Sequence, residues 1–155
     1  MDKIKKAQRY QRIINQISML IRKTPDPQAR MSTITAILHN KFDHYFWTGF
    51  YHLKAEELTV CCYQGSVACL VLEKHTGVCW AAVDQQKTII VPDVHKFAGH
   101  IACDSRSASE IVVPVWKDGE IVAVLDVDSK SRNSFDEVDA EFLEKIAELI
   151  YLLYH

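Results

Sequence analysis

The sequence has 155 residues, 48% of them hydrophobic and 25% charged, and its eighteen Lys and Arg against twenty Asp and Glu give a formal net charge of -2. That length suits one domain over 1–155, and the near balance of charge argues against a general binder of nucleic-acid backbones. No apolar run reaches the length of a membrane span, and the charged, helix-like start MDKIKKAQRYQR lacks the apolar stretch of a secretory leader, so a cytoplasmic protein is expected. Five cysteines (Cys61, Cys62, Cys69, Cys79 and Cys103) are an awkward odd number for a disulfide framework, and reducing compartments keep thiols free.

Tyr10, Ile13, Ile14, Ile17, Leu20 and Ile21 recur at the three-and-four spacing of an amphipathic helix. This stripe would serve a core or a second copy of the chain, which leaves a homodimer open. Thr24-Pro25-Asp26-Pro27 interrupts it, because Asp26 can cap a second helix whose first position suits Pro27. That helix is expected over about 27 to 41, with Met31, Ile34, Ile37 and Leu38 inward. From about Tyr45 the period becomes strand-like, in a Trp47-Thr48-Gly49-Phe50-Tyr51 run rich in β-formers. Lys54-Ala55-Glu56-Glu57 reads as a hairpin turn into a second strand, Leu58 to Tyr63. Gln64 to Ser109 is expected to be irregular apart from a short helix near Gly77 to Gln86 and a short strand around Thr88 to Val91. Asp118-Gly119 then joins strands Glu110 to Lys117 and Glu120 to Lys130, a strong hairpin signal. Ser134-Phe135-Asp136-Glu137 matches a capping box, and a last helix follows with Phe135, Val138, Phe142, Ile146, Leu149, Ile150 and Leu153 on its buried face. This order predicts an α+β fold with a mainly antiparallel sheet, terminal helices on one face and the middle segment on the other.

The strand from Glu120 alternates, so Asp126 and Asp128 leave one face together. Two such carboxylates raise each other's pKa unless a cation or a shared proton intervenes, and a ligand ammonium group would serve. The plain alternative is the start of a polar loop toward Ser129 and Arg132. Cys103 lies eight residues after His95, whose imidazolium would favour a thiolate while Asp104 opposes it. Cys103 reads equally as a buried inert thiol. A metal site on His95, His100 and Cys103 lacks any CxxC or HExxH pattern, and no metal is expected. Cys61 and Cys62 are adjacent in a strand, are expected to face opposite sides and read as structural. Trp47 and Tyr51 share a side of their strand, as a ligand wall or as core.

Seven segments, in order, resemble a known family: Trp47-Thr48-Gly49-Phe50-Tyr51, Gln64-Gly65-Ser66-Val67-Ala68-Cys69, Gly77-Val78-Cys79, Asp93-Val94-His95, Gly99-His100-Ile101-Ala102-Cys103-Asp104-Ser105, Ser109-Glu110-Ile111-Val112-Val113-Pro114 and Val124-Leu125-Asp126-Val127-Asp128-Ser129. Together they resemble the free methionine-(R)-sulfoxide reductases, small GAF proteins, over nearly the whole chain. The resemblance implies a GAF fold and a cofactor-free oxidoreductase of free L-methionine-(R)-sulfoxide, with thioredoxin as reductant. It implies that Cys103 attacks the sulfoxide and becomes a sulfenic acid, that Cys69 resolves it to a disulfide, and that Cys79 is an accessory thiol. Glu110, Asp126 and Asp128 would surround the substrate, and Trp47 and Tyr51 would receive its methyl end. Trp80 departs from the family, which carries a small residue after its counterpart of Cys79. A rival reading keeps the GAF fold as a small-molecule binding or redox-sensing module without turnover.

Overall fold

The computed structural model of the chain describes residues 1–99 and 103–154. The helix-forming stripe at the start produces α1 (Lys3–Leu20), extended by a single 3-10 turn, Ile21–Lys23. Asp26 ends the interruption as expected: its carboxylate accepts the Ala29 N–H at 2.7 Å and opens α2 (Pro27–Lys41) with proline in the first turn. The strands are β1 (Trp47–Lys54), β2 (Glu57–Gln64), β3 (Val71–Leu72), β4 (Ile89–Val91), β5 (Ser109–Lys117) and β6 (Glu120–Ser129). Helix α3 (Gly77–Gln85) precedes β4, and α4 (Glu137–Glu148) follows β6. All strand pairs are antiparallel in a sheet of order β3-β2-β1-β6-β5-β4. Both long hairpins close on two left-handed residues, Ala55 and Glu56 in one, Asp118 and Gly119 in the other, the conformation whose twist matches that of the flanking strands.

The sheet divides the interior. On one face α1, α2 and α4 bury Tyr10, Ile17, Ile34, Leu38, Leu143 and Ile146 against Phe50, Ile111, Val113, Leu125 and Val127. Of the apolar stripe of α1, Tyr10, Ile13, Ile17 and Ile21 are buried in this core, while Leu20 stays exposed. On the other face α3 sets Val78, Cys79, Trp80 and Ala82 against Trp47, Tyr51, Val112 and Val124. Trp80, the departure from the family, fills this second cluster.

Three expectations change. Gly49 pairs with Tyr63 but Tyr51 with Val60, so β2 carries a bulge with Cys61 and Cys62 both opposite Phe50. Both cysteines therefore pack against the helix-side core rather than on opposite faces. Burial and the adjacent Cys61 push the Cys62 thiol up to about 12, so it stays protonated. The cap of α4 falls on Asp136 instead of Ser134. The Asp136 carboxylate accepts the Val138 N–H at 2.9 Å, and Asp139 returns the favour to the Asp136 N–H at 2.8 Å. Two carboxylates outcompete the Ser134 hydroxyl, which instead donates to the Ser131 carbonyl at 3.0 Å. Finally α4 stops at Glu148, so Leu153 is 67% exposed and Leu143 takes the buried position.

One buried cation ties the chain ends. The Arg30 guanidinium, 3% exposed, donates to the carbonyls of Thr24, Ile21, Leu149, Ile150 and Leu152 at 2.7–3.2 Å. These carbonyls lie at or just beyond the ends of α1 and α4, where intrahelical donors run out. Arg30→Ala is expected to lower unfolding free energy by about 3 kcal/mol or more in urea titrations, since buried carbonyls lose a charged partner. Arg30→Lys should recover only part, because an ammonium cannot span both helix ends.

Candidate active site

The β1 alternation directs Trp47 and Tyr51 to the α3 side, where their rings stack 5.8 Å apart and Tyr63 lies 5.3 Å from Trp47. Two glycines make room for the indole. A Cβ on Gly49 would lie 2.8 Å from Trp47 Cη2 and 2.3 Å from Tyr63 Cβ. Gly65 has φ +123°, which side chains rarely adopt, and its Cβ would meet Trp47 Cδ1 at 2.9 Å. The indole Nε1–H then donates to the Ser66 carbonyl at 3.0 Å, fastening the aromatic wall to the segment that bears Cys69.

The β5–β6 register sets Glu110 opposite Asp128 and Val112 opposite Asp126. Glu110 and Asp126 are buried, at 6% and 5% exposure. Burial, then its two aspartate neighbours, raises the Glu110 pKa well above the ordinary carboxyl range. Asp128 is raised well above that range by burial and then by Asp126, and Asp126 itself is raised by burial. Three carboxyl groups this close cannot all ionise, so the site holds at least one proton near neutrality. Oδ1 of Asp126 is buried without a hydrogen-bond partner, an acceptor left for something else.

Cys69 and Cys103, 34 residues apart in sequence, form a disulfide with Cα atoms 5.8 Å apart. Asp104, whose charge would oppose ionisation of Cys103, is neutralised locally. Arg106 donates to both its oxygens, Nε to Oδ1 at 3.0 Å and Nη2 to Oδ2 at 2.7 Å, and holds the carboxyl well below its usual range. The same guanidinium lies over the Phe46 ring at 4.8 Å. His95, by contrast, is exposed in the 3-10 turn Val94–Lys96 and does not line the cavity. His100 lies outside the described residues. Cys79, in the first turn of α3, is buried, and its thiol is pushed well up by burial and then by Asp126. Its sulfur and carboxyl oxygens of Glu110 and Asp126 lie within 4.8 Å of one another.

All eight residues singled out from the sequence (Trp47, Tyr51, Cys69, Cys79, Cys103, Glu110, Asp126 and Asp128) line one cavity of about 230 Å³. Among the described residues, every charged residue in its lining is acidic, Glu73 and Asp104 completing the set. A ligand here is small, carries a positive group, and has an apolar part for the indole and phenol.

A family model described as a GAF domain matches residues 24–152. The free methionine-R-sulfoxide reductase of Escherichia coli (strain K12) is 36% identical over 118 residues, covering 76% of this chain and 72% of that protein. The enzyme of the same name from Saccharomyces cerevisiae is 48% identical over 108 residues, 67% of this chain and 60% of its own length. A crystal structure of free methionine-R-sulfoxide reductase from Neisseria meningitidis, in complex with its substrate, superposes with a TM-score of 0.91 at 37% identity, covering 97% of this chain and 89% of that one. The chain belongs to the free methionine-R-sulfoxide reductase family. Within the described residues, this reductase-family cavity also depends on groups that the sequence reading passed over. Gly49, Gly65, the Ser66 carbonyl and Arg106 act through close approach or across loops. Only Gly49, set between two aromatics of one strand face, carried a local signal.

Glu110, one of the carboxyl groups raised by burial, offers a direct test. Between the ordinary value of 4.5 and its raised value in the fold, Glu110 keeps a proton that the unfolded chain releases. Its contribution to stability is therefore full below 4.5 and declines as pH rises from there toward its raised value in the fold. Unfolding free energy measured against pH should fall less steeply above that value in Glu110→Gln than in the parent. Identical slopes would show that Glu110 is ionised in the fold.

Proposed function

We propose that the chain reduces free L-methionine-(R)-sulfoxide to L-methionine, using Cys103 as nucleophile, Cys69 as resolving thiol and thioredoxin as reductant. The observation that carries this reading is the Cys69–Cys103 disulfide in the wall of a cavity lined by acidic groups and two stacked aromatics. The substrate's ammonium group meets the Glu110, Asp126 and Asp128 cluster, and its methyl end meets Trp47 and Tyr51. Its carboxylate finds no cation among the described residues of the lining. The first turn of α3, where Thr76 makes no side-chain cap bond, offers backbone N–H donors instead. A peptide-bound residue lacks the free ammonium and would leave these carboxylates without a partner, which disfavours protein substrates.

The chemistry follows from the groups present. Cys103 attacks the sulfoxide sulfur while a protonated carboxyl of the cluster donates to the sulfoxide oxygen. The oxygen passes to Cys103 as a sulfenic acid and methionine leaves with its sulfur as a thioether. The proton given up by the thiol restores the carboxylic acid. Cys69 then attacks Cys103 Sγ, water departs and the disulfide forms. A dithiol reductant returns both thiols and is itself oxidised to a disulfide. The proton on Cys79 leaves that sulfur a weak nucleophile, consistent with an accessory place.

Single-turnover assays of the pre-reduced protein test the assignment. Cys103→Ser is expected to abolish methionine formation, whereas Cys69→Ser should yield one methionine per chain and lose thioredoxin-driven turnover. Full activity in Cys103→Ser would remove Cys103 from the mechanism. Assaying both sulfoxide epimers, free and peptide-bound, separates this reading from a binding module, since only the free R form should turn over.

A further inference from the structure

The segment around Cys69 is unlike the rest of the cavity rim. Ser66 to Leu72, Ser-Val-Ala-Cys-Leu-Val-Leu, contains no charged residue, and within it Val67, Leu70 and Val71 are 84%, 75% and 50% exposed. The other large apolar side chains exposed among the described residues lie at the N-terminus or in α1, at the β5–β6 hairpin end or near the C-terminus. Among the described residues, this group alone sits beside the redox pair. Aliphatic side chains left this open beside a reactive centre mark an interaction surface.

The segment is also held in place. The Ser66 carbonyl accepts from Trp47 at 3.0 Å, the Leu70 carbonyl accepts the Val60 N–H at 2.9 Å, and Val71 and Leu72 pair with Thr59 and Leu58 as the outermost strand of the sheet. A partner would meet a preformed platform, with little ordering cost on docking. The Cys103 side of the disulfide differs in character, because the Asp104–Arg106 ion pair stands directly beside it.

We infer that Val67, Leu70 and Val71 form the docking surface for a protein dithiol that reduces the Cys69–Cys103 disulfide by attacking Cys69. The inference deepens the reading above and rests on it for the need of a reductant. Exposure alone would direct the attack to Cys103, the more open residue of the two; the apolar platform directs it to Cys69. In the exchange, a partner thiolate bonds to Cys69 Sγ, the Cys69–Cys103 bond breaks, and Cys103 leaves with the electron pair and takes a proton. The partner's second thiol then attacks its own sulfur in the mixed disulfide, releasing Cys69 as a thiol and leaving the partner oxidised. Two electrons and two protons enter the chain. This order also makes the sulfur that serves as nucleophile in substrate reduction the leaving group in recycling, and a good leaving thiolate speeds exchange.

The test follows reduction of the oxidised protein itself by counting free thiols, so it is independent of whether methionine sulfoxide is the substrate. Leu70→Asp and Val67→Asp, both at open positions, are compared with the parent using thioredoxin and, separately, dithiothreitol. The second-order rate with thioredoxin should drop roughly tenfold, the loss expected of a contact central to a docking surface, while the rate with dithiothreitol stays within about twofold. Equal losses with both reductants, or no loss with thioredoxin, would overturn the docking surface. A thioredoxin variant lacking its second thiol, mixed with the oxidised protein, should be trapped on Cys69 by peptide mapping. A trapped adduct on Cys103 would overturn the direction of attack. Normal docking behaviour together with no turnover of methionine sulfoxide would instead count against the proposed substrate alone.

Discussion

The pairing of β5 with β6 is the constraint around which the site is organised. Its register places Glu110 against Asp128 and two pairs away from Asp126, on a sheet face that α3 covers. Burial of three acidic groups is costly unless protons or a cation intervene. The fold sets no Lys or Arg in the lining to relieve this. Among the described residues the cavity is thus built short of positive charge, which the ammonium group of a free amino acid would supply and a methionine sulfoxide within a peptide chain would not. The aromatic wall depends on the same sheet, since β1 pairs with β6 on the other edge and sets Trp47 opposite Asp128.

The two faces divide the work. Helices α1, α2 and α4 cover one side with apolar side chains and with Arg30, which gathers five backbone carbonyls. That side can be rigid because nothing must enter it. Among the described residues the opposite side has only α3 and loops over it, leaving space for a ligand and two segments close enough for their cysteines to join.

What was legible in the sequence was what is local. Asp26 and Pro27 announce α2 within four residues, Asp118-Gly119 announces the hairpin, and strict alternation puts Asp126 and Asp128 on one face before any partner strand is known. The grouping of the eight site residues came through the family resemblance rather than from periodicity, which left each of them with an ordinary alternative. What was not legible depends on a partner. The bulge at Cys61 and Cys62 exists only in the register of β2 on β1. The cap at Asp136 depends on competition among three neighbouring acceptors, of which Asp139 is also held by Lys6 at 2.8 Å. β3 is two residues long and shows no period of its own. His95, near Cys103 in the chain, points away from the cavity because the 3-10 turn at Val94–Lys96 intervenes.

The bulge in β2 has a bearing on pairing fidelity. In a regular strand, one of Cys61 and Cys62 would project to the cavity side of the sheet. A sulfenic acid formed there would then find a wrong thiol within the same compartment and could be trapped in a dead-end bridge. The extra residue turns both sulfurs to the helix side. A single inserted residue thus sets this pair on the face away from the cavity that Cys69, Cys79 and Cys103 line.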